Sequence, residues 1–565
     1  MRPKGRTGSN GAAPFSFDLG KFGGSLFHGT DIFKVLWEFS MVHGFLMTGV
    51  CLMALVGAAS AETVLNRGND TDPATLDQQH TTTISENRVL RDLYEGLLAQ
   101  NEKGEAVPGA ASSWDISEDG LTYTFHMREN AKWSNGDPVT AGDFEFTFRR
   151  IMDPKTAAGY ASVLYAIKNA EKVATGKMPV DQLGVKALDD KTLQITLKNP
   201  APYFLELLTH QTGFPVNKKA VEKFGDKFTL PGNMVTNGAY TLVSFNPNDK
   251  IAMKKNPNYW DASNVKIDAV NWIPFEDRAS CMRRFEAKEI DVCSDVSAEQ
   301  MDYVKEHFGK EFRHAPYLGI YYIDIKGEPS GKLRDKRVRE AISLAIDRKF
   351  IGEEVWRGVM LPAYSMVPPG IANYVNDAPK LAFGNEDILD REDKAKELLK
   401  EAGVEPGMLS VTLRYNTSEN HKNTMAAVAS MLKNIGINAT LNEVEGTTYF
   451  NFLQEKGMFD ITRDGWIGDY NDPNSFLELF TTGNYFNYAD WSNKDYDALM
   501  AKSATATDLA ERAKILSEAE KILLSDGAVV PLMYYASTAL VADKIQGYED
   551  NLMNSHATRW LSIKN

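Results

Sequence analysis

From Val64 onward the apolar positions recur in two rhythms. Short runs alternate apolar and polar residues, the strand period, while longer runs repeat every three or four residues, the helical period. LTYTFHMRENAKW at 121–133 alternates and then meets Ser134-Asn135-Gly136-Asp137, a hairpin-type turn signal. Thr140 to Arg150 follows as a helix, with Thr140 as its cap and Asp143 three residues on. KALDDKTLQITLKNPAPYF is again rich in strand residues, and long amphipathic helices are predicted at 334–350, 391–402, 421–434 and 508–524. No repeat of 20 to 50 residues interrupts this order. The pattern is that of a mixed α/β chain, and 565 residues are too many for one ordinary core, so two or three domains are expected.

FDITRDGWIGDYNDPNSF, residues 459–476, combines several groups suited to binding. Phe459-Asp460-Ile461 reads as a buried strand, and Gly465, Gly468 and Asn471-Asp472-Pro473 then break regularity, so a loop opens at the end of a strand. Gly465 and Gly468 leave room for another backbone to approach. Asp469 suits an ammonium group, Arg463 six residues earlier suits a carboxylate, and Trp466 lies between them as an aromatic plate. Together they suit a zwitterion such as a peptide. In the competing reading, Asp469 caps a turn and Arg463 neutralises Asp460 or Asp464.

Charge and leader narrow the setting. The formal charge of −14, with no clustered basic face, argues against a nucleic-acid partner. Phe39 to Val56 is almost continuously apolar and Ala59-Ser60-Ala61 follows as a small-residue cleavage site, so export with cleavage before Glu62 is expected. An uncleaved anchor is the alternative, because about 18 apolar residues is near the lower limit for spanning a bilayer. The stretch before it is long and Gly-rich for a leader, which makes Met41 a rival to Met1 as the start. Removing residues 1–61 takes away five basic and three acidic residues and leaves −16. Cys281 and Cys293 then remain, on a helix expected over 278–288 and a strand over 290–294; export permits a disulfide, and two buried thiols are the alternative.

Catalytic signatures are missing. There is no Gly-x-Ser-x-Gly elbow, no His-Glu-x-x-His helix and no P-loop, and Asp469-Tyr470-Asn471-Asp472 lacks the glycine and terminal glutamate of an EF-hand. His421 opens a helix with no nucleophile placed beside it. Binding without catalysis, metal or cofactor is the expected activity.

Several blocks in order carry a family resemblance: RDLYEGLL and VPGAASSWDISEDGLTYTFHMRENAKWSNGDPVTAGDF within 91–148, VTNGAYTL at 235–242, NPNYW at 256–260, RDKRVREAISLAIDR at 334–348, LRYNTSENHK at 413–422 and the 459–476 stretch. With these the chain resembles the periplasmic oligopeptide-binding proteins, the peptide branch of the family 5 solute-binding proteins that feed ABC importers. The resemblance implies a periplasmic-binding-protein-like α/β fold with two main lobes joined by two crossing segments, plus an inserted third domain. The first lobe is expected from 62–94, 219–320 and 537–565, the inserted domain from 95–218 and the third lobe from 321–536. The crossings are expected near YLGIYYIDI (317–325) and LMYYAST (532–538). It further implies that Asp469 anchors the ligand's α-amino group, that Arg463 receives the carboxylate of shorter peptides and His421 that of longer ones, that Trp466 walls the pocket, and that residues 465–467, Gly465 and Ile467 among them, pair with the ligand as a strand. Implied partners are short peptides and the permease subunits of an importer, with the protein a periplasmic monomer. Gly319 and Ile467 stand where some relatives carry a cysteine pair, a pocket tryptophan is missing near Gly446, and Gln454 replaces an arginine found in murein-peptide binders. Murein peptide or another small solute is therefore the alternative ligand.

Overall fold

The computed structural model describes residues 62–275 and 277–564. The expected signal, its cleavage site and the choice between Met1 and Met41 lie outside them. The chain is built around an eleven-stranded mixed sheet. In chain order its main strands are β1 (Val64–Asn69), β2 (Tyr240–Asn246), β3 (Lys250–Lys255), β4 (Ala269–Pro274), β5 (Val292–Ser294), β6 (Phe312–Ile325), β7 (Ser410–Asn416), β8 (Asn438–Val444), β9 (Ile461–Ile467) and β10 (Val529–Val541). Across the sheet they run β8-β7-β9-β6-β10-β5-β1-β4-β3-β2.

The two longest strands, β6 and β10, stand side by side in the middle and pair antiparallel. Their runs YLGIYYIDI and VVPLMYY are apolar on both faces, the signature of strands covered on both sides, and β6 is buried from Leu318 to its end. They belong to both halves of the sheet: β6 carries β9 and its neighbours, while β10 carries β5 and the strands beyond. They coincide with the runs where the family resemblance places the two crossings. Their ladder slips between Pro316 and Ile320, where proline has no N–H to give; there Leu318 N–H bonds instead to Leu552 O at 2.9 Å.

A separate four-stranded antiparallel sheet is formed by segments between Ala111 and Thr196. Helix α1 (Ala141–Met152) packs on it, and Thr140 and Asp143 form the expected reciprocal cap. The strand expected over 121–133 is shorter, Thr122–Met127, because Met127 N–H turns to Lys191 O. The turn at Ser134–Asp137 is present, with Gly136 at φ 90° and its N–H on Trp133 O.

One further expectation is corrected. The helix predicted over 334–350 stops as α3 (Lys336–Ala345): Ile346 is extended and Asp347 caps a new short turn through Lys349 and Phe350 N–H. The cause is Arg348, which is fully buried and donates to Pro531 O, Ser343 O and Ile346 O, tying off the helix's last carbonyls. The other long helices appear close to expectation, including α4 (Glu419–Asn434) and α5 (Leu509–Asp526).

The cysteine alternatives resolve in favour of a bridge. Cys281, on α2 (Arg278–Glu286), and Cys293 on β5 are joined with an S–S distance of 2.02 Å. Both are buried, and a Cβ on Gly68 would lie 2.5 Å from Cys281 Sγ, so only glycine fits beneath the bridge. Replacing both cysteines with serine is expected to lower stability by about 3 kcal/mol, from loop closure over 12 residues and the burial of two hydroxyls, measured by denaturant unfolding.

Candidate functional site

The loop that carries Asp469 grows out of β9. Gly468 N–H donates to Leu318 O of β6, and alternation along an antiparallel ladder turns Trp466 and Asp464 the same way. Arg463, Gly465 and Ile467 therefore direct their backbone groups to the other edge. On that edge β7 pairs only with Ile461 and Thr462, so among the described residues no strand continues beside 463–467. An open edge beside a cleft accepts an added strand. Gly465 N–H is meanwhile held by Asp464 Oδ1 at 2.7 Å.

Gly465 lies inside the strand and does not interrupt it. The role expected for the two glycines also changes, because side chains fill the space beside them. A Cβ on Gly465 would meet Tyr535 Oη at 2.6 Å, and one on Gly468 would meet Leu318 and Phe476. Gly319 and Ile467 are register partners, and the isoleucine side chain fills the space that the absent Cβ of Gly319 leaves.

Arg463 is buried at 8% exposure and has no carboxylate within ion-pair distance among the described residues. Its Nε donates to Asn416 Oδ1 and its Nη2 to His421 Nε2, both at 2.8 Å, and its guanidinium lies over Tyr321. Arg463 makes no ion pair with Asp460, which accepts from Thr412 N–H, or with Asp464, which accepts from Tyr322 O–H, although burial's upward push on the Asp464 carboxyl is opposed by the charge of Arg463. His421, in the first turn of α4, is pushed well below the ordinary histidine range by burial, then by Arg463 and Arg278. Its imidazole is neutral. Since Nε2 accepts from Arg463, the proton sits on Nδ1, which is buried without a partner and is free to donate.

Asp469 is the complementary case. Its side chain is 10% exposed, and Tyr160 O–H reaches both carboxylate oxygens at 2.6 Å. His210 Nε2 lies 3.5 Å from Oδ1. That histidine is pushed down to about 3 by burial, then by Arg91, so it brings no positive charge. Burial pushes Asp469 up to about 7, with Glu478 adding to the rise and the Tyr160 hydrogen bond opposing it. No lysine or arginine pairs with Asp469 among the described residues. Its N–H donates to Ser475 Oγ, so the loop holds its own shape. Trp466 stands beside this carboxylate, its ring 4.9 Å from Phe486 and 6.4 Å from Tyr160, with its N–H buried and unpartnered.

Arg463, Gly465, Trp466 and Ile467 thus lie on β9, Asp469 in the loop that follows it and His421 against Arg463. Tyr160, His210 and Tyr535 complete the wall: Tyr535 belongs to the Tyr-rich run LMYYAST expected as a crossing, whereas Tyr160 and His210, which approach Asp469 from far earlier in the chain, went unread because no local pattern marks them.

Comparison with known proteins agrees with this architecture. Residues 105–488 match the model of the bacterial extracellular solute-binding proteins, family 5 Middle. The chain is 39% identical over 527 residues to the periplasmic oligopeptide-binding protein OppA of Salmonella typhimurium, covering 92% of this chain and 95% of that one. Among solved structures it is similar to Haemophilus influenzae OppA in complex with RPPGFSPFR, at a TM-score of 0.84 and 35% identity, covering 89% of this chain and 99% of that one. The Escherichia coli murein tripeptide binding protein MppA also gives 0.84 at 35% identity over 90% and 99% of the two chains, and its unliganded open form 0.69 over 89% and 98%. This chain belongs to the family 5 bacterial extracellular solute-binding proteins.

Proposed function

We propose that the protein captures short peptides in the periplasm and delivers them to the permease of an ABC importer, acting as a monomer. One observation carries this reading: a buried carboxylate without a cation, Asp469, and a buried guanidinium without a carboxylate, Arg463, stand six residues apart along β9 and the loop that follows it. Each uncompensated charge is costly in a dry site, and a zwitterion of matching length supplies both partners at once. Six residues of extended chain reach up to about 20 Å, room for roughly three to five residues of peptide added as a strand. Backbone groups of Gly465 and Ile467 read any sequence, while Trp466 and its aromatic neighbours wall the side-chain space.

The lobes are assigned as the resemblance implies, with 62–94, 219–320 and 537–565 forming the first, 95–218 the inserted domain and 321–536 the third. Contacts across them support a closed arrangement: Tyr160 of the inserted segment holds Asp469 of the third lobe, and the lower similarity to open MppA agrees. Ligand binding stabilises this closed form, which the permease recognises.

Purification without denaturation followed by native mass spectrometry tests the reading. A ladder of masses that dissociates into two-to-five-residue peptides of mixed sequence is expected. A single murein-peptide mass would move the chain to the alternative ligand, and a homogeneous non-peptide mass would overturn peptide capture.

A further inference from the structure

The first lobe brings its own cation to the cleft. Strands β5, β1 and β4 are parallel neighbours, and the ligand side of a parallel sheet is the crevice beyond the carboxyl ends of its strands. Just past those ends stand Asp295 after β5, Asp70 after β1 and Arg278 after β4. The third lobe is built alike: β7 is parallel to β9, Asn416 closes β7, and Arg463 lies beside it. Each lobe therefore presents an arginine at its crevice edge.

Arg278 is held by charge and not by hydrogen bonds: burial works against its guanidinium, but Asp295 and then Asp70 raise its proton affinity above the ordinary arginine value. It makes no hydrogen bond among the described residues, its nearest carboxylate is Asp70 at 3.9 Å from Nε, and 38% of its side chain is exposed. Asp70 is a reluctant counter-ion, pushed up to about 6 by burial and then by the charge of Asp295. Asp295 in turn lies 3.5 Å from Arg88, which also reaches Asp70 at 3.8 Å. The guanidinium of Arg278 nonetheless lies close enough to the third lobe for its charge to be felt at His421 and Tyr535, the same two groups that feel Arg463. Arg278 and Arg463 thus act on the same two groups with most of their hydrogen-bond donors unspent, and a carboxylate arriving there meets both cations.

We propose that Arg278 is a second anchor for the ligand's terminal carboxylate, supplied by the first lobe and facing Arg463 and the Nδ1–H of His421 across the cleft. This rests on the peptide reading above. A peptide whose amine sits on Asp469 runs along 467 to 463 and releases its carboxylate at this end. Held from both sides, that carboxylate ties the lobes together, so its charge strengthens closure as well as binding.

Calorimetry with tri-, tetra- and penta-alanine, each as free acid and as amide, tests the assignment on wild type, Arg278→Gln and Arg278→Lys, with thermal unfolding to check that each variant is folded. Arg278→Gln is expected to lose about tenfold or more in affinity for the free acids and to bind the amides like wild type, the Lys variant recovering part of the loss. Equal losses for acids and amides would make Arg278 a scaffold residue and overturn the proposal, as would unchanged binding of every peptide. A loss confined to peptides carrying a glutamate, run as a further series, would place the carboxylate on a side chain and overturn the terminal assignment. Wild type that binds peptides but treats acid and amide alike would remove the anchor while leaving peptide capture standing; wild type that binds no peptide would remove the reading beneath it.

Discussion

Asp469→Asn is expected to weaken peptide binding by about 2–5 kcal/mol, because in the proposed mode it removes the carboxylate that meets the ligand's ammonium. The substitution keeps the shape and the Tyr160 contact, so the loss reports the charge and not a collapsed loop. The pH dependence separates this from a general weakening. In the ligand-free protein burial holds Asp469 at about 7, above the roughly 3.9 of an exposed aspartate, so folding favours its protonated form. Ionising it costs the empty protein stability progressively as pH rises from about 4 to 7. An ammonium ligand needs the ionised form and draws the proton off. Affinity should therefore fall about tenfold per pH unit as pH drops below 7, with a proton released on binding, and level off between 7 and the ligand's own amine pKa near 8. Calorimetry in buffers of different ionisation enthalpy measures that proton. In Asp469→Asn the slope and the proton release both disappear; a variant that kept wild-type affinity, or kept the slope, would show that the ammonium binds elsewhere.

How much of this site could be read in advance depends on whether its parts are local. The crossing strands were placed by the family resemblance, and the Tyr-rich runs from Tyr317 to Ile325 and from Leu532 to Thr538 were legible by themselves only as strands. The cap of α1 was legible because Thr140 and Asp143 act within one turn. The break in the helix after Ala345 was not, since its cause is a buried arginine whose acceptor, Pro531 O, lies 183 residues away. Gly465 was read as a breaker when it is an ordinary strand residue with no Cβ, and the reason for glycine there, Tyr535 Oη, belongs to the other crossing. The charges of Asp469 and Arg463 could be picked out from their types and spacing; their isolation could not, because it depends on Tyr160 and His210, both neutral, standing where a cation would otherwise stand.

The loop that carries Asp469 is itself held by a buried pair, and breaking that pair should have the largest effect on stability. Asp472 is 0% and Arg512 2% exposed, and they meet through two hydrogen bonds of 2.8 and 2.9 Å. Burial works against the guanidinium, yet the charge of Asp472 raises its proton affinity above the ordinary arginine value. Asp472 also accepts from Asn474 N–H and from Asn373 Nδ2, so one carboxylate joins α5, the segment at 373 and the turn after the ligand loop. Asp472→Ala leaves Arg512 charged and dry, with the ring of Tyr203 beside it, and is expected to cost about 3–5 kcal/mol in denaturant unfolding. Replacing both members with apolar residues removes the stranded charge. The double variant Asp472→Leu with Arg512→Leu should therefore recover much of the loss but not all of it, because the Asn474 and Asn373 donors stay unpaired. Peptide affinity in Asp472→Ala should fall as well, through a loop that no longer holds Asp469 against Tyr160, while the pH slope persists because the titrating carboxylate is still present. A double variant no more stable than the single one would mean that the loop depends on the hydrogen bonds of Asp472 and not on its charge.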